Sequence, residues 1–469
     1  KFYYFINCLF WSCCWEFNLR QYIIRVVPND AYEFGSACFN TGEVIFFAQG
    51  VVFLRDGDGG IMYNEIIFFI IAIIEEIMDI FEKCFSFTTA KDLLEQGFYP
   101  YFIPLTENEG TEVEYKGHRL IMCGSNNYLG LTTHPKVKEA ACRAIEHFGT
   151  SCTGSRFLNG TLEMHEQLER ELAEWVGKEA GLVFSTGMQT NLGTISAIVG
   201  KNDYVILDKE DHASLVDGAR LSLGKIERFR HNDVKHLERV LNSLPENSGK
   251  IVIVDGLFSM EGDLSLLPEI IPLTKKYGAR LMVDDAHGMG VVGHGHGTSH
   301  HFGVTEDVDL IMSTFSKSFA SLGGFVAGDE DVIHYIKHFA RSLIFSASIP
   351  PSNAAAALAA LHVMRDEPER IERVNSIGNK MREGFKSLGF DIGSSETPIV
   401  PIIIGSDEKT FLTWKLLFDA GVFVNPVISP AVSAGRQLLR TSYMATHTDQ
   451  QLDRVLEIFS QIGKKVGLI

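Results

Sequence analysis

The 469-residue sequence has no C-x-x-C pair, no block of clustered Lys and Arg, and no apolar run long enough to cross a bilayer. Each absence excludes a class of protein. The eight cysteines are scattered, and four of them (Cys8, Cys13, Cys14, Cys38) fall in the first 40 residues, so neither a disulfide framework nor zinc spacing is visible. Reduced thiols in a cytoplasmic setting are the expectation. A formal net charge of -17 argues against a grip on nucleic acid or anionic lipid, which needs clustered cations. The longest apolar run, Ile66 to Ile74, is nine residues, against the roughly 18 to 20 that a spanning helix needs. It follows acidic and neutral residues instead of a basic segment, so it does not read as a signal peptide.

What remains is a globular composition, 45% hydrophobic and 22% charged, long enough for two or three domains and suited to a small-molecule site. Residues 1–77 stand apart. They are dense in aromatics and cysteine without a helical or alternating period, and patterned sequence starts at Met78. They are expected to be read-through from upstream of the true start; the alternatives are an unfamiliar extension or an interfacial anchor giving peripheral membrane contact. From Met78 onward, apolar strands at 181–184, 204–207, 251–254, 281–283 and 310–312 alternate with helical stretches. That order predicts an α/β fold with a central, mostly parallel sheet covered by helices on both faces. Beyond Pro350-Pro351 the Ala-rich NAAAALAALHVM reads as a long helix opening a smaller C-terminal α+β domain. The expected divisions are 1–77, 78–145 (contributing to a substrate site and a dimer), 146–350 (large cofactor-binding domain) and 351–469.

The stretch LMVDDAHGMGVVG (281–293) offers two readings. Gly288, Gly290 and Gly293 fit a dinucleotide-binding turn, but the HGHGTSHHFG that follows has little helical character, so the glycines are expected to build a tight loop. The other half, Asp284-Asp285-Ala286-His287, gains meaning beside Ser313-Thr314-Phe315-Ser316-Lys317-Ser318. A lysine among hydroxyls suits a Schiff base with a phosphorylated aldehyde, which points to pyridoxal 5′-phosphate. Asp284 at a strand end would pair with the pyridine nitrogen, and Asp285 would face the other way because side chains alternate. His287 would bond the phenolic oxygen, and His212 would stack on the ring. In FSTGMQTN a strand runs into a helix, so the Gly187 and Met188 amides can cradle a phosphate. His294, His296, His300 and His301 have irregular spacing with no nearby carboxylate or cysteine and read as a solvated loop, not a metal site.

Taken in order, GSNNYLGL (124–131), GSRFLNGT (154–161), FSTGMQTN, DHAS, FSMEGD (258–263), VDDAH, TFSKS and LLRTS (438–442) resemble the α-oxoamine synthases. These are fold-type I pyridoxal phosphate enzymes that condense an amino acid with an acyl-CoA and lose carbon dioxide, and the resemblance covers about residues 90 to 465. It implies Lys317 as the Schiff-base lysine, with His212, Asp284 and His287 in the roles above, and Ser259 and Thr314 as further cofactor contacts. It also implies Arg440 and Asn127 on the substrate carboxylate. Ser346 would reach the phosphate from a partner subunit, because the family shares active sites across a homodimer. GSRFLNGTL and NPVISPAV look most like the bacterial serine palmitoyltransferases, with L-serine and a long-chain acyl-CoA as substrates. The 2-amino-3-ketobutyrate CoA ligases are the nearest rival. A catalytically dead regulatory paralogue would be signalled by loss of the lysine, and Lys317 is present.

Overall fold

The computed structural model describes residues 23–26, 43–46, 52–54, 79–108 and 110–469. The chain divides into two compact units, Lys1–Glu95 and Gln96–Ile469. The first holds a three-stranded sheet in which Ile23–Val26 pairs parallel with Glu43–Phe46, and Glu43–Phe46 pairs antiparallel with Val52–Leu54. Two short helices, Glu82–Phe85 and Thr89–Glu95, follow. The apolar run 66–74 lies outside the described residues, and among those described no helix is long and apolar enough to cross a membrane.

The second unit is organised by a seven-stranded sheet: β1 (Ala180–Phe184), β2 (Tyr204–Asp208), β3 (Lys225–Phe229), β4 (Lys250–Asp255), β5 (Arg280–Asp284), β6 (Leu310–Thr314) and β7 (Gly324–Gly328), in the order β1-β7-β6-β5-β4-β2-β3. All neighbouring pairs are parallel except the two that β7 makes, so the expected mostly parallel sheet is present. Burial on both faces explains the continuous apolar runs. Leu182, Val205, Ile253, Met282 and Met312 pack one face, while Val183, Ile206, Val254, Val283 and Ile311 pack the other. Each fully buried Leu, Ile or Val contributes about 1.5–3 kcal/mol. The expected Ala-rich helix runs Pro351–Asp366 and packs Ala354, Ala357 and Ala360 against the second face, where the small side chains permit close approach.

A smaller sheet of β8 (Ile399–Ile403), β9 (Asn425–Val427) and β10 (Leu438–Ser442), in the order β8-β10-β9, is fully antiparallel. Its core takes in Val113, Leu120 and Met122 from a hairpin well before it in sequence, together with Phe385 and Phe459 from the covering helices. The hairpin strand His118–Met122 also pairs with Val422–Phe423. This tie delivers the 124–131 segment to β10, where Ser442 bonds Ser125 O and Arg440 bonds Asn126.

Candidate active site

A cavity of about 300 Å³ opens at the C-terminal ends of the large sheet, where a parallel α/β sheet presents its ligand crevice. Its wall includes Thr186, Gly187 and Met188 after β1, His212 after β2, Asp255 ending β4, Asp284 ending β5, Thr314 ending β6, and Lys317. Helix α1 (Gly187–Ile198) begins on this wall, capped by Thr186, whose side chain accepts from Gln189 N at 3.1 Å. The Gly187 and Met188 N–H groups belong to the first turn, which has no intrahelical acceptors, and the helix dipole favours an anion there. Glycine is required at 187, because a Cβ would sit 2.8 Å from Thr314 Oγ1. Thr186, Gly187 and Met188 after β1 and Thr314 and Ser316 after β6 thus gather amides and hydroxyls on one part of the wall.

Asp284 is 4% exposed and register-paired with Asp255 on the adjacent strand. Its carboxylate accepts from Asn191 Nδ2 at 2.7 Å and from its own loop at Ala286 N. The same Asn191 amide donates to Ser214 Oγ at 2.8 Å, and Ser214 Oγ lies 2.7 Å from His212 Nδ1. His212 caps helix α2 (Ala213–Leu221) by accepting from Ser214 N on Nδ1, which leaves Nε2 as the protonated nitrogen. Burial pushes Asp255 well up, reinforced by the neighbouring charge of Asp284. Burial lowers Lys317 to about 8, against the upward pull of Asp284 and Asp255.

Asp285 faces away from the cavity. Its carboxylate is bonded by Thr298 N and by Thr298 Oγ1 at 2.6 Å, which closes the 285–298 loop. The dinucleotide-like glycines serve that closure: a Cβ on Gly288 would lie 1.9 Å from Asp285 Oδ1, and Gly293 has φ +58. His287, two residues along, is buried, and burial with the nearby Lys317 and Arg440 charges holds it well below the usual histidine range. Its Nδ1 lies 2.7 Å from the Tyr128 hydroxyl.

Arg440 is not on the cavity wall but connects to it through Tyr128, whose hydroxyl meets the wall residue His287. Its Nη2 donates to Tyr128 OH at 3.3 Å and to Asn126 Oδ1 at 2.9 Å, its Nε to Ser259 O at 2.6 Å, and its Nη1 to Ser442 Oγ at 3.3 Å. A 4%-exposed guanidinium thus has only neutral acceptors among the described residues. Ser259 contributes its carbonyl, not its hydroxyl, to this arrangement.

Two expected residues lie elsewhere. The side chain of Asn127 is consumed locally, donating to Thr132 Oγ1 at 2.8 Å and accepting from Leu131 N at 3.0 Å; its neighbour Asn126 meets Arg440 instead. Within this chain Ser346 accepts from Gln189 Nε2 at 3.0 Å and is not on the wall. Sequence reasoning missed Asn191, Ser214, Asp255, Asn126 and Tyr128. Of the histidine-rich loop, His296 stacks on Trp175 and bonds its carbonyl at 2.7 Å. No group of three or more ligand-type side chains among the described residues could hold a metal.

The family described as aminotransferase class I and II matches residues 119–459. The chain belongs to it. It is 51% identical over 388 residues to the serine palmitoyltransferase of Sphingobacterium spiritivorum, covering 82% of this chain and 97% of that one. It is 50% identical over 389 residues to the serine palmitoyltransferase of Bacteroides ovatus, covering 83% and 99%. The solved structure of the S. paucimobilis serine palmitoyltransferase with bound PLP-myriocin aldimine superposes with a TM-score of 0.81 at 37% identity, over 83% of this chain and all of that one. The expected α-oxoamine synthase relationship and fold-type I architecture stand. The chain is a pyridoxal-phosphate-dependent acyltransferase, and the anion cradle, the enclosed amine and the strand-end carboxylate are the donor set that cofactor requires.

Proposed function

We propose that this enzyme condenses L-serine with a long-chain acyl-CoA, palmitoyl-CoA in the first instance, releasing CoA and carbon dioxide to give 3-ketodihydrosphingosine. The observation that carries the reading is Arg440, a buried cation whose partners among the described residues are all neutral. A substrate carboxylate would supply the missing charge, and bidentate guanidinium contacts fix such a group in one orientation. The names and identities of the relatives favour serine over other amino acids.

Pyridoxal phosphate, when bound, supplies the electron sink for a carbanion at the amino-acid Cα. The Gly187 and Met188 amides with Thr314 hold its phosphate, and Lys317 is the residue that attaches it. Asp284, fixed by Asn191, holds the proton of the ring nitrogen. With Nδ1 of His287 engaged by the Tyr128 hydroxyl, its Nε2 is the nitrogen left to meet the phenolic oxygen, while His212 covers the ring face. The Lys317 amine would take the Cα proton, because burial keeps a useful share of it neutral. Arg440, aligned by Asn126, Tyr128 and Ser259, holds the carboxylate until it leaves. Two such chains would pair as a homodimer with shared sites, and Ser346 of one chain would reach the phosphate of the other.

The test is an absorbance titration of the holoenzyme with L-serine and with glycine, followed by product analysis with palmitoyl-CoA. The reading expects a spectral response to serine, little to glycine, and no turnover in Lys317→Ala. A stronger glycine response would move the assignment to the 2-amino-3-ketobutyrate CoA ligase reaction.

A further inference from the structure

His231 follows edge strand β3 and belongs to no motif that the cofactor chemistry uses. Its ring is held at both nitrogens: Nδ1 lies 3.1 Å from Asp208 Oδ1 and Nε2 lies 3.2 Å from Asp263 Oδ2. Phe258 packs edge-on against it at 4.4 Å. Only the doubly protonated ring can donate to both carboxylates. Burial would lower its pKa, but hydrogen bonds to Asp208 and Asp263 raise it to about 10.

The two carboxylates stand on different segments, and each segment carries part of the site. Asp208 ends β2 and opens the loop to His212; Glu210 N bonds its Oδ1 at 2.9 Å and Asn232 N its Oδ2 at 2.9 Å. Asp263 closes the 258–263 turn, where Phe258 N bonds Asp263 O and Gly262 N bonds Phe258 O, both at 3.0 Å. Ser259, inside that turn, holds Arg440 Nε through its carbonyl. From the C-terminal region, Ser394 Oγ donates to Asp263 Oδ2 at 3.0 Å, and Glu396 accepts from Leu264 N at 3.1 Å. His231 therefore sits where the loop bearing the ring-facing histidine, the turn anchoring the arginine and the C-terminal region meet.

We propose that His231 is a positioning residue for the amino-acid substrate: its ring ties the 208–212 loop to the 258–263 turn and so sets the placement of the Arg440 guanidinium relative to His212. The inference rests on the reading of Arg440 as the receptor for the amino-acid carboxylate. A neutral side chain that spans only one of the two carboxylates would let the turn, and the carbonyl of Ser259 with it, drift from Arg440. A guanidinium that loses the Ser259 carbonyl holds a carboxylate less well, while none of the residues assigned to the cofactor phosphate is touched.

His231→Gln holoenzyme should bind L-serine about tenfold more weakly, read as the Kd of the spectral titration and as KM, with kcat within about threefold of the parent. The absorbance of the bound cofactor before serine is added should be unchanged. Asp263→Asn, which leaves the ring bonded to Asp208, should move the serine Kd in the same direction and serves if His231→Gln folds poorly. His231→Arg, a cation with donors at two ends, should recover part of the loss. A serine Kd within twofold of the parent in both His231→Gln and Asp263→Asn, with only melting temperature lowered, would overturn the proposal and leave His231 a structural residue. If the parent itself gives no spectral response to serine, the functional reading fails first, so the two failures are distinguishable.

Discussion

Lys317 offers a prediction whose size follows from its surroundings. Its amine lies on the wall of the cavity and forms no ion pair among the described residues, and burial lowers its pKa to about 8 from 10.5. At pH 7 such an amine is roughly one-tenth neutral, against about three parts in ten thousand for an ordinary lysine, so the reactive form is enriched roughly 300-fold. The assay is the rate at which cofactor-free protein takes up pyridoxal phosphate, followed by absorbance from pH 6 to 10. The rate should climb about tenfold between pH 6 and 7 and level off above about 8, because further deprotonation adds little beyond the midpoint. Two substitutions fix the sign. Asp284 raises the lysine, so Asp284→Asn should move the midpoint below 8; Arg440 lowers it, so Arg440→Met should move the midpoint up. A rate still climbing at pH 10, or midpoints shifting the same way in both variants, would refute the electrostatic account of Lys317.

Three further perturbations are specified by single contacts. For His231 the folded pKa, about 10, lies above the unfolded value near 6.5. Its stabilisation is therefore complete below about pH 6.5 and lost as pH rises through about 10. The charges facing it are Asp208 and Asp263, with Glu261 close by, and the difference in melting temperature between parent and His231→Gln should shrink across that window. Glu169, 7% exposed, forms a bidentate pair with Arg156 at 2.7 and 3.0 Å and also accepts from Val183 N at 2.9 Å. Glu169→Ala strands a buried guanidinium and should cost about 3–5 kcal/mol in denaturant unfolding; a loss under 1 kcal/mol would show that water reaches Arg156. Gly187→Ala places a methyl 2.8 Å from Thr314 Oγ1 and should weaken pyridoxal phosphate affinity at least about tenfold, measured by equilibrium dialysis. Unchanged affinity would remove the cradle from that end of α1.

The parts of the site legible in the sequence are those written into contiguous segments. Asp284 and His287 share one strand-end loop, Thr314 and Lys317 another, and Gly187 and Met188 open a helix, so spacing alone places each pair. What could not be read depends on chain segments meeting. Arg440 is brought to Asn126 and Tyr128 because the 112–122 hairpin is built into the C-terminal core. The choice of Asn126 over Asn127 turns on which side chain the 127–132 turn consumes, a matter of one residue in phase. Asn191 carried a usable signal: it lies four residues after Gly187, on the same face of α1. Among strands, β3 (KIERF) was hidden because an edge strand with four of five residues not fully buried lacks an apolar run, and β7 (GFVAG) because the glycines at both its ends read as turns.

The distribution of charge explains why so many titratable groups can crowd one cavity. Burial is the largest influence on both wall histidines and drives them toward the neutral form; the nearby Lys317 charge pushes the same way. Burial and Asp284 push Asp255 toward its neutral acid. Ionising every group would place opposed and like charges a few ångströms apart in a poorly solvated space, which the protein avoids by letting most of them stay neutral. The neutral histidines then act as oriented donors: Ser214 fixes the tautomer of His212, and Tyr128 bonds the Nδ1 of His287. Tyr128 also accepts from Arg440, so one hydroxyl couples the guanidinium proposed to hold the substrate to the imidazole proposed to touch the cofactor. Arg440, Tyr128 and His287 are thereby parts of one hydrogen-bonded chain, and a carboxylate arriving at Arg440, as proposed, would be felt at His287.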